Sequence, residues 1–314
     1  MSPIFTNFAT KLHMLSQTPS TNPLRNLWGV GALLFCIIIF SLVGLGLSQL
    51  MGKFMYGLTA EQTQQLLNNP SRTALGINIL RWGNLLQFLC FMALPALLVA
   101  AVAQFNLIEV GGYRIKPKSN KILGSLLLAL GMIPAVALLT ALCKHLPWGN
   151  LGTLFSKFDA KRQAIFEAML DMETYTELWV CIGILAVLPA IFEELVFRGL
   201  MTQMASNSFR RKRTAVIFQA FVFATIHFSP FEFAGIFAMG LLFGLIYIVT
   251  GSLWYSTIAH FIFNASTVVV QFFTIQHFNA TGIYFNAESW LAQPAVYLIS
   301  FPVATFGLYL TLKK

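Results

Sequence analysis

Two adjacent glutamates, Glu193 and Glu194, stand near the end of a long apolar run, and Arg198 follows them. Two histidines, His227 and His260, fall in later apolar runs, with Asn264 four residues after His260. A carboxylate can take a proton from water, an imidazole can accept or donate one, and a carboxamide N–H can donate to a developing anion. Each charge in a membrane-length segment costs roughly 2.5–3.5 kcal/mol even on lenient insertion scales. A chain that keeps Glu193, Glu194 and Arg198 together at that cost is expected to use them.

Helical spacing divides the work between the two acids. Residues four apart face each other across one turn, so Glu194 and Arg198 can neutralise one another. Glu193 lies about 100° further round, and its own neighbour four along is Phe197. One carboxylate is therefore tied to a guanidinium and the other is left in an apolar setting suited to a general base. The competing explanation is a buried ion-pair cluster that only fixes helix packing. Of the five histidines, His13, His145 and His277 lie in the N-terminal tail or at span ends. His227 and His260 lie inside apolar runs, so they are the candidates for chemistry.

The elements that must position these groups are membrane helices. The chain has 314 residues, 57% hydrophobic and 10% charged, against about 25% charged in a soluble domain. Its apolar blocks are near the ~20 residues needed to cross a bilayer core. The expected fold is all-α: a polytopic transmembrane helical bundle with about eight spans, near 27–50, 82–104, 122–142, 178–204, 214–230, 233–250, 253–274 and 294–312. The first run is read as a retained span rather than a signal peptide. Gly240-Leu-Leu-Phe-Gly244 predicts close helix packing. Cys36, Cys90, Cys143 and Cys181 form no CxxC pair and read as small buried hydrophobes.

Loop charge sets the orientation. The basic clusters that set it are Arg114, Lys116, Lys118 and Lys121, then Arg210 to Arg213, then Lys313 and Lys314. Placing them on the cytoplasmic side puts both termini inside, as an even span count requires. The net charge of +9 is accounted for in this way, and no basic–aromatic platform suggests nucleic acid. The opposite side collects Glu61, Asp159, Glu167, Asp171, Glu173, Glu177, Glu232 and Glu288. Within it, 158–177 reads as an amphipathic helix at the outer interface, either a gate or a surface cap. For Glu193 to reach the depth of His227, His260 and Asn264, the fourth helix must continue past Arg198 to about Met204. That places the site in the inner half of the bilayer.

Glu193-Glu194-xxx-Arg198, Phe223-xxx-His227 and His260-xxx-Asn264 together resemble the CAAX-protease and bacteriocin-processing family, also called Rce1-like or Abi. The resemblance covers about 178–272. It implies a division into a polar tail (1–26), N-terminal transmembrane helices with the outer segment (27–177), a catalytic CAAX-protease-like core (178–274), and a loop with the last transmembrane helix (275–314). It implies an intramembrane endopeptidase in which Glu193 and His227 activate water, His260 and Asn264 stabilise the oxyanion, and Glu194 and Arg198 support the geometry. The substrate would be a membrane-embedded peptide or protein in a lipid bilayer, with a CAAX-like C-terminus as one possibility. Family members are often labelled metalloproteases. Glu193, His227 and His260 would be the ligands of a Zn²⁺ site with an open position, but the chain has no His-Glu-xx-His helix. Asn264 suits an oxyanion donor better than a zinc ligand, which favours a reaction with no cofactor. A proton-coupled transporter would also use intramembrane Glu and His, and a non-catalytic scaffold or immunity protein could keep the motifs. Short loops fit the plasma membrane, specifically a bacterial inner membrane.

Overall fold

The computed structural model describes residues 23–69, 73–283, 286–291 and 293–313. Most of the polar tail, with His13, lies outside them, as does Lys314. Among the described residues there are twelve helices and no strand. They are α1 (Pro23–Tyr56), α2 (Ala60–Asn68), α3 (Ala74–Val102), α4 (Leu107–Val110), α5 (Ser119–Lys144), α6 (Asn150–Met169), α7 (Tyr175–Phe209), α8 (Lys212–Thr225), α9 (Phe233–Thr250), α10 (Leu253–Thr281), α11 (Ala287–Leu291) and α12 (Pro294–Leu312). Seven of them, α1, α3, α5, α7, α9, α10 and α12, are long and apolar enough to cross a membrane. The chain is a multi-pass membrane protein. The expected fifth span is the shorter α8, 14 residues or about 21 Å long, completed by the turn 226–232. The second span starts eight residues earlier than expected, because Arg81 does not end the helix. Its Nε donates to Met169 O (3.0 Å), Nη2 to Asp171 O (2.8 Å) and Nη1 to Glu177 Oε1 (2.8 Å). A buried guanidinium with those partners is tolerated inside a helix.

Contacts gather the basic segments at one end of the bundle. Gly29 meets the Met204 side chain, and Gly199 lies against Val110 and Leu253. Leu253 N donates to Gly111 O, and Lys118 N to the Tyr255 hydroxyl. On α5 and α12, Gly124 faces Thr311 and Gly131 faces Ala304, so the helices run antiparallel and bring the described C-terminal end beside Ser119. In a bilayer, small residues are what allow such an approach. A Cβ at Gly307 would stand 2.5 Å from Leu128 N. Likewise, Gly240 and Gly244 let α9 close onto Ala220, Val216 and Gln219 of α8, the packing expected of that motif.

Three stretches widen into π-turns: Leu89–Ala93, Gly183–Val187 and Glu194–Met201. The first two precede Pro95 and Pro189. A proline ring clashes with the carbonyl four residues back; here those residues are Phe91 and Leu185, both inside the widened turns. The third contains no proline and begins at Glu194. The outer amphipathic segment also differs from expectation. It is not one helix over 158–177, because α6 ends at Met169 and α7 starts at Tyr175. Thr174 and Glu177 form a capping box that begins a new helix, and this fixes the break.

Candidate active site

The fourth span continues past Arg198, as convergence requires. α7 runs to Phe209 and carries Glu193, Glu194 and Arg198 in its middle. The π-turn that starts at Glu194 frees backbone carbonyls, and Thr202 Oγ1 donates to Phe197 O across 2.7 Å. Such bulges recur at functional sites because they re-aim side chains that a regular helix would stagger.

Glu194 and Arg198 are fully buried, and Glu193 and His260 nearly so. Arg198 Nη1 lies 2.9 Å from Glu194 Oε1, so the i, i+4 pairing survives the π-turn. The same carboxylate oxygen accepts from His260 Nδ1 at 3.0 Å. His260 Nε2 then faces Glu193 Oε2 at 3.8 Å, longer than a hydrogen bond. Glu194 is therefore engaged by a guanidinium and an imidazole, whereas the approach of Glu193 to His260 is longer than a hydrogen bond.

The guanidinium is held by aromatic faces. Its central carbon lies 4.3 Å from the Phe223 ring centroid and 5.3 Å from that of Phe243. Desolvated cation–π contacts of this kind contribute up to about 2 kcal/mol. Phe243 also stacks on His260 at 5.3 Å and 27°, so one ring on α9 supports the cation from α7 and the imidazole from α10. Gln219 Nε2 donates to Gly240 O at 2.9 Å, and Arg198 Nη2 approaches the same carbonyl at 3.5 Å.

His227 is not inside α8 as expected but two residues past its end. Its Nδ1 lies 2.6 Å from Phe223 O. A carbonyl only accepts, so Nδ1 carries the proton and Nε2 presents a lone pair. The same logic puts a proton on Nδ1 of His260, opposite Glu194. The His227 ring is 4.7 Å from that of Phe223, which also meets Arg198 and His260. Asn264 stands one turn beyond His260 on α10, half-buried. Among the described residues no hydrogen bond ties His227 or Asn264 to either glutamate.

The structure thus brings Glu193, Glu194, Arg198 and His260 into one cluster, with His227 reaching it through Phe223. Among the described residues no three His, Cys, Asp or Glu side chains are placed to hold a metal ion. The zinc set considered from sequence, Glu193, His227 and His260, does not fit such a site in this arrangement. Phe243 and Gln219 escaped the sequence reading, since an apolar ring and a lone amide in apolar runs give no signal of their own.

Residues 175–266 match the family model described as type II CAAX prenyl endopeptidase Rce1-like. No curated protein and no solved structure matches the chain. The matched stretch contains all three motifs and every residue of the cluster, and over it the chain is similar to the Rce1-like family of CAAX-type endopeptidases.

Proposed function

We propose that the chain is an intramembrane endopeptidase that hydrolyses a peptide bond of a membrane-associated substrate, with Glu193 as the base for water. One observation carries this assignment: of the two adjacent carboxylates, Glu194 is occupied at 2.9 and 3.0 Å, while Glu193 faces His260 Nε2 at 3.8 Å and has no hydrogen bond among the described residues.

In the proposed reaction Glu193 acts as a carboxylate base and the His260 imidazole as an N–H donor. Glu193 takes a proton from water while the water oxygen attacks the scissile carbonyl carbon. His227 Nε2, an acceptor by its tautomer, holds the second hydrogen of that water. The developing oxyanion is met by N–H groups of His260 and Asn264. Glu193 returns its proton to the leaving nitrogen as the C–N bond breaks, giving a carboxylic acid and an amine. Glu194 and Arg198 hold His260 in place, braced by Phe223 and Phe243. A plasma membrane location and a CAAX-like C-terminal substrate belong to the same proposal.

The test is a comparison of protein termini in membranes carrying wild type or Glu193→Gln. Substrates should accumulate uncleaved in the variant, at equal protein level. Identical termini in both membranes would overturn the reading.

A further inference from the structure

The outer helix α6 was left open by the sequence as a gate or a surface cap, and its contacts point elsewhere. The turn 226–232, which carries His227, is tied to α6 at a polar junction. Arg162 Nη2 lies 2.6 Å from Glu232 Oε1 and 3.1 Å from Asp159 Oδ1. Lys144 Nζ at the end of α5 adds a contact to Asp159 Oδ2 at 3.6 Å. Within the turn, Ser229 Oγ donates to Glu232 Oε2 at 3.0 Å, so Glu232 braces the turn and reaches α6 with its two oxygens. Phe231 packs edge-on against Trp148 and Phe155 at 6.4 and 6.3 Å. Burial works against the Arg162 charge, but the Glu232 and Asp159 carboxylates outweigh it and push its pKa up.

The turn needs an external hold. α8 stops at Thr225, so His227 lacks the rigidity of a continuing helix. Phe228 beside it sits at φ +48°, a left-handed backbone that a bulky residue adopts at a cost. Its side chain is 80% exposed, so its own packing does not offset that strain. Ser229 and Phe231 are buried, and Phe231 and Glu232 are held against Phe155 and Arg162 of α6.

Resting on the peptidase reading above, we propose that Arg162 and Glu232 are positioning residues that hold the 226–232 turn so that His227 Nε2 faces the reacting water. α6 is then part of the catalytic scaffold rather than a cap.

The test reads the His227 ring directly and cleavage separately. In ¹⁵N-histidine NMR of the full chain in bilayers, assigned with His227→Ala, the wild type should show one Nδ1–H tautomer for His227. Arg162→Ala and Glu232→Ala should each mix tautomers or broaden that signal, and the double variant should be no worse than either single one. Arg162→Lys should restore most of the signal, because a single nitrogen makes both contacts and no guanidinium fork is used. In cleavage, each alanine variant should lower kcat about tenfold with KM unchanged, as expected for a misplaced group rather than lost substrate binding. An unchanged His227 signal in Arg162→Ala overturns the positioning role whatever cleavage shows, and so do additive effects in the double variant. A perturbed His227 signal in a protein whose wild type cleaves nothing supports the latch and counts against the peptidase reading alone.

Discussion

Replacing Arg198 by Met probes the cluster without reference to any substrate. The guanidinium is fully buried, 2.9 Å from Glu194 and between two aromatic rings. Met retains much of the side-chain volume and packs against both rings. The substitution therefore removes charge more than it opens a cavity. What remains is Glu194, also fully buried, with the side chains of His260 and Ser256 as polar partners. Breaking a buried pair from one side costs about 3–5 kcal/mol, to which lost cation–π attraction adds up to about 2 kcal/mol. The expected loss in Arg198→Met is thus about 3–7 kcal/mol. Adding Glu194→Gln removes the orphaned charge and should recover more than half of it. Reversible unfolding in mixed micelles, followed by tryptophan fluorescence, measures both. A loss below about 1 kcal/mol in the single variant, or a double variant no more stable than the single, would refute the buried-charge argument.

Other consequences are as specific. Phe243→Ala removes the ring shared by Arg198 and His260 and should destabilise by about 3–5 kcal/mol, with Phe243→Leu costing clearly less in the same unfolding assay. Gly307→Val places atoms where Leu128 N and Gly124 O stand within 2.7 Å of a bare Cβ, so α12 should separate from α5. An engineered cysteine pair across that interface would then lose its cross-linking. His227→Ala should abolish cleavage while leaving the unfolding midpoint within about 1 kcal/mol, because the ring is only half-buried. Exhaustive chelation should leave the cleavage rate unchanged, and a rate restored only by added zinc would require a rearranged donor set.

Much of this site was legible in the sequence, for identifiable reasons. Charge in apolar runs is costly, so Glu193, Glu194 and Arg198 stood out, and their spacing gave the ion pair even through a π-turn that the spacing rule does not anticipate. A long guanidinium tolerates that change of helical phase. The continuation of α7 followed from the need to bring Glu193 level with His260, and the 3.8 Å approach agrees. The partner of Glu194 on another helix was not legible, since no local spacing links Glu194 to His260. Glu193 was expected to face His227, yet its near neighbour is His260. The end of α8 before His227 was missed because apolar composition continues through Phe228. The break between α6 and α7 did carry a signal, the Thr174-x-x-Glu177 capping box, which apolar periodicity in the same stretch obscured. Phe243 shows the general limit. Among 30 phenylalanines, only three-dimensional position distinguishes a ring that braces Arg198 and His260 from one that faces lipid.

The central claim is that Glu193 activates a water that cleaves a peptide bond. It is tested most directly by single-turnover cleavage in proteoliposomes, in water enriched in heavy oxygen, using a substrate taken from the terminus comparison. Wild type should place one heavy oxygen in the new carboxyl group. Glu193→Gln, folded to the same extent, should be slower by at least about 100-fold, the contribution expected of a general base. Cleavage by Glu193→Gln at a rate within a few-fold of wild type would contradict the account.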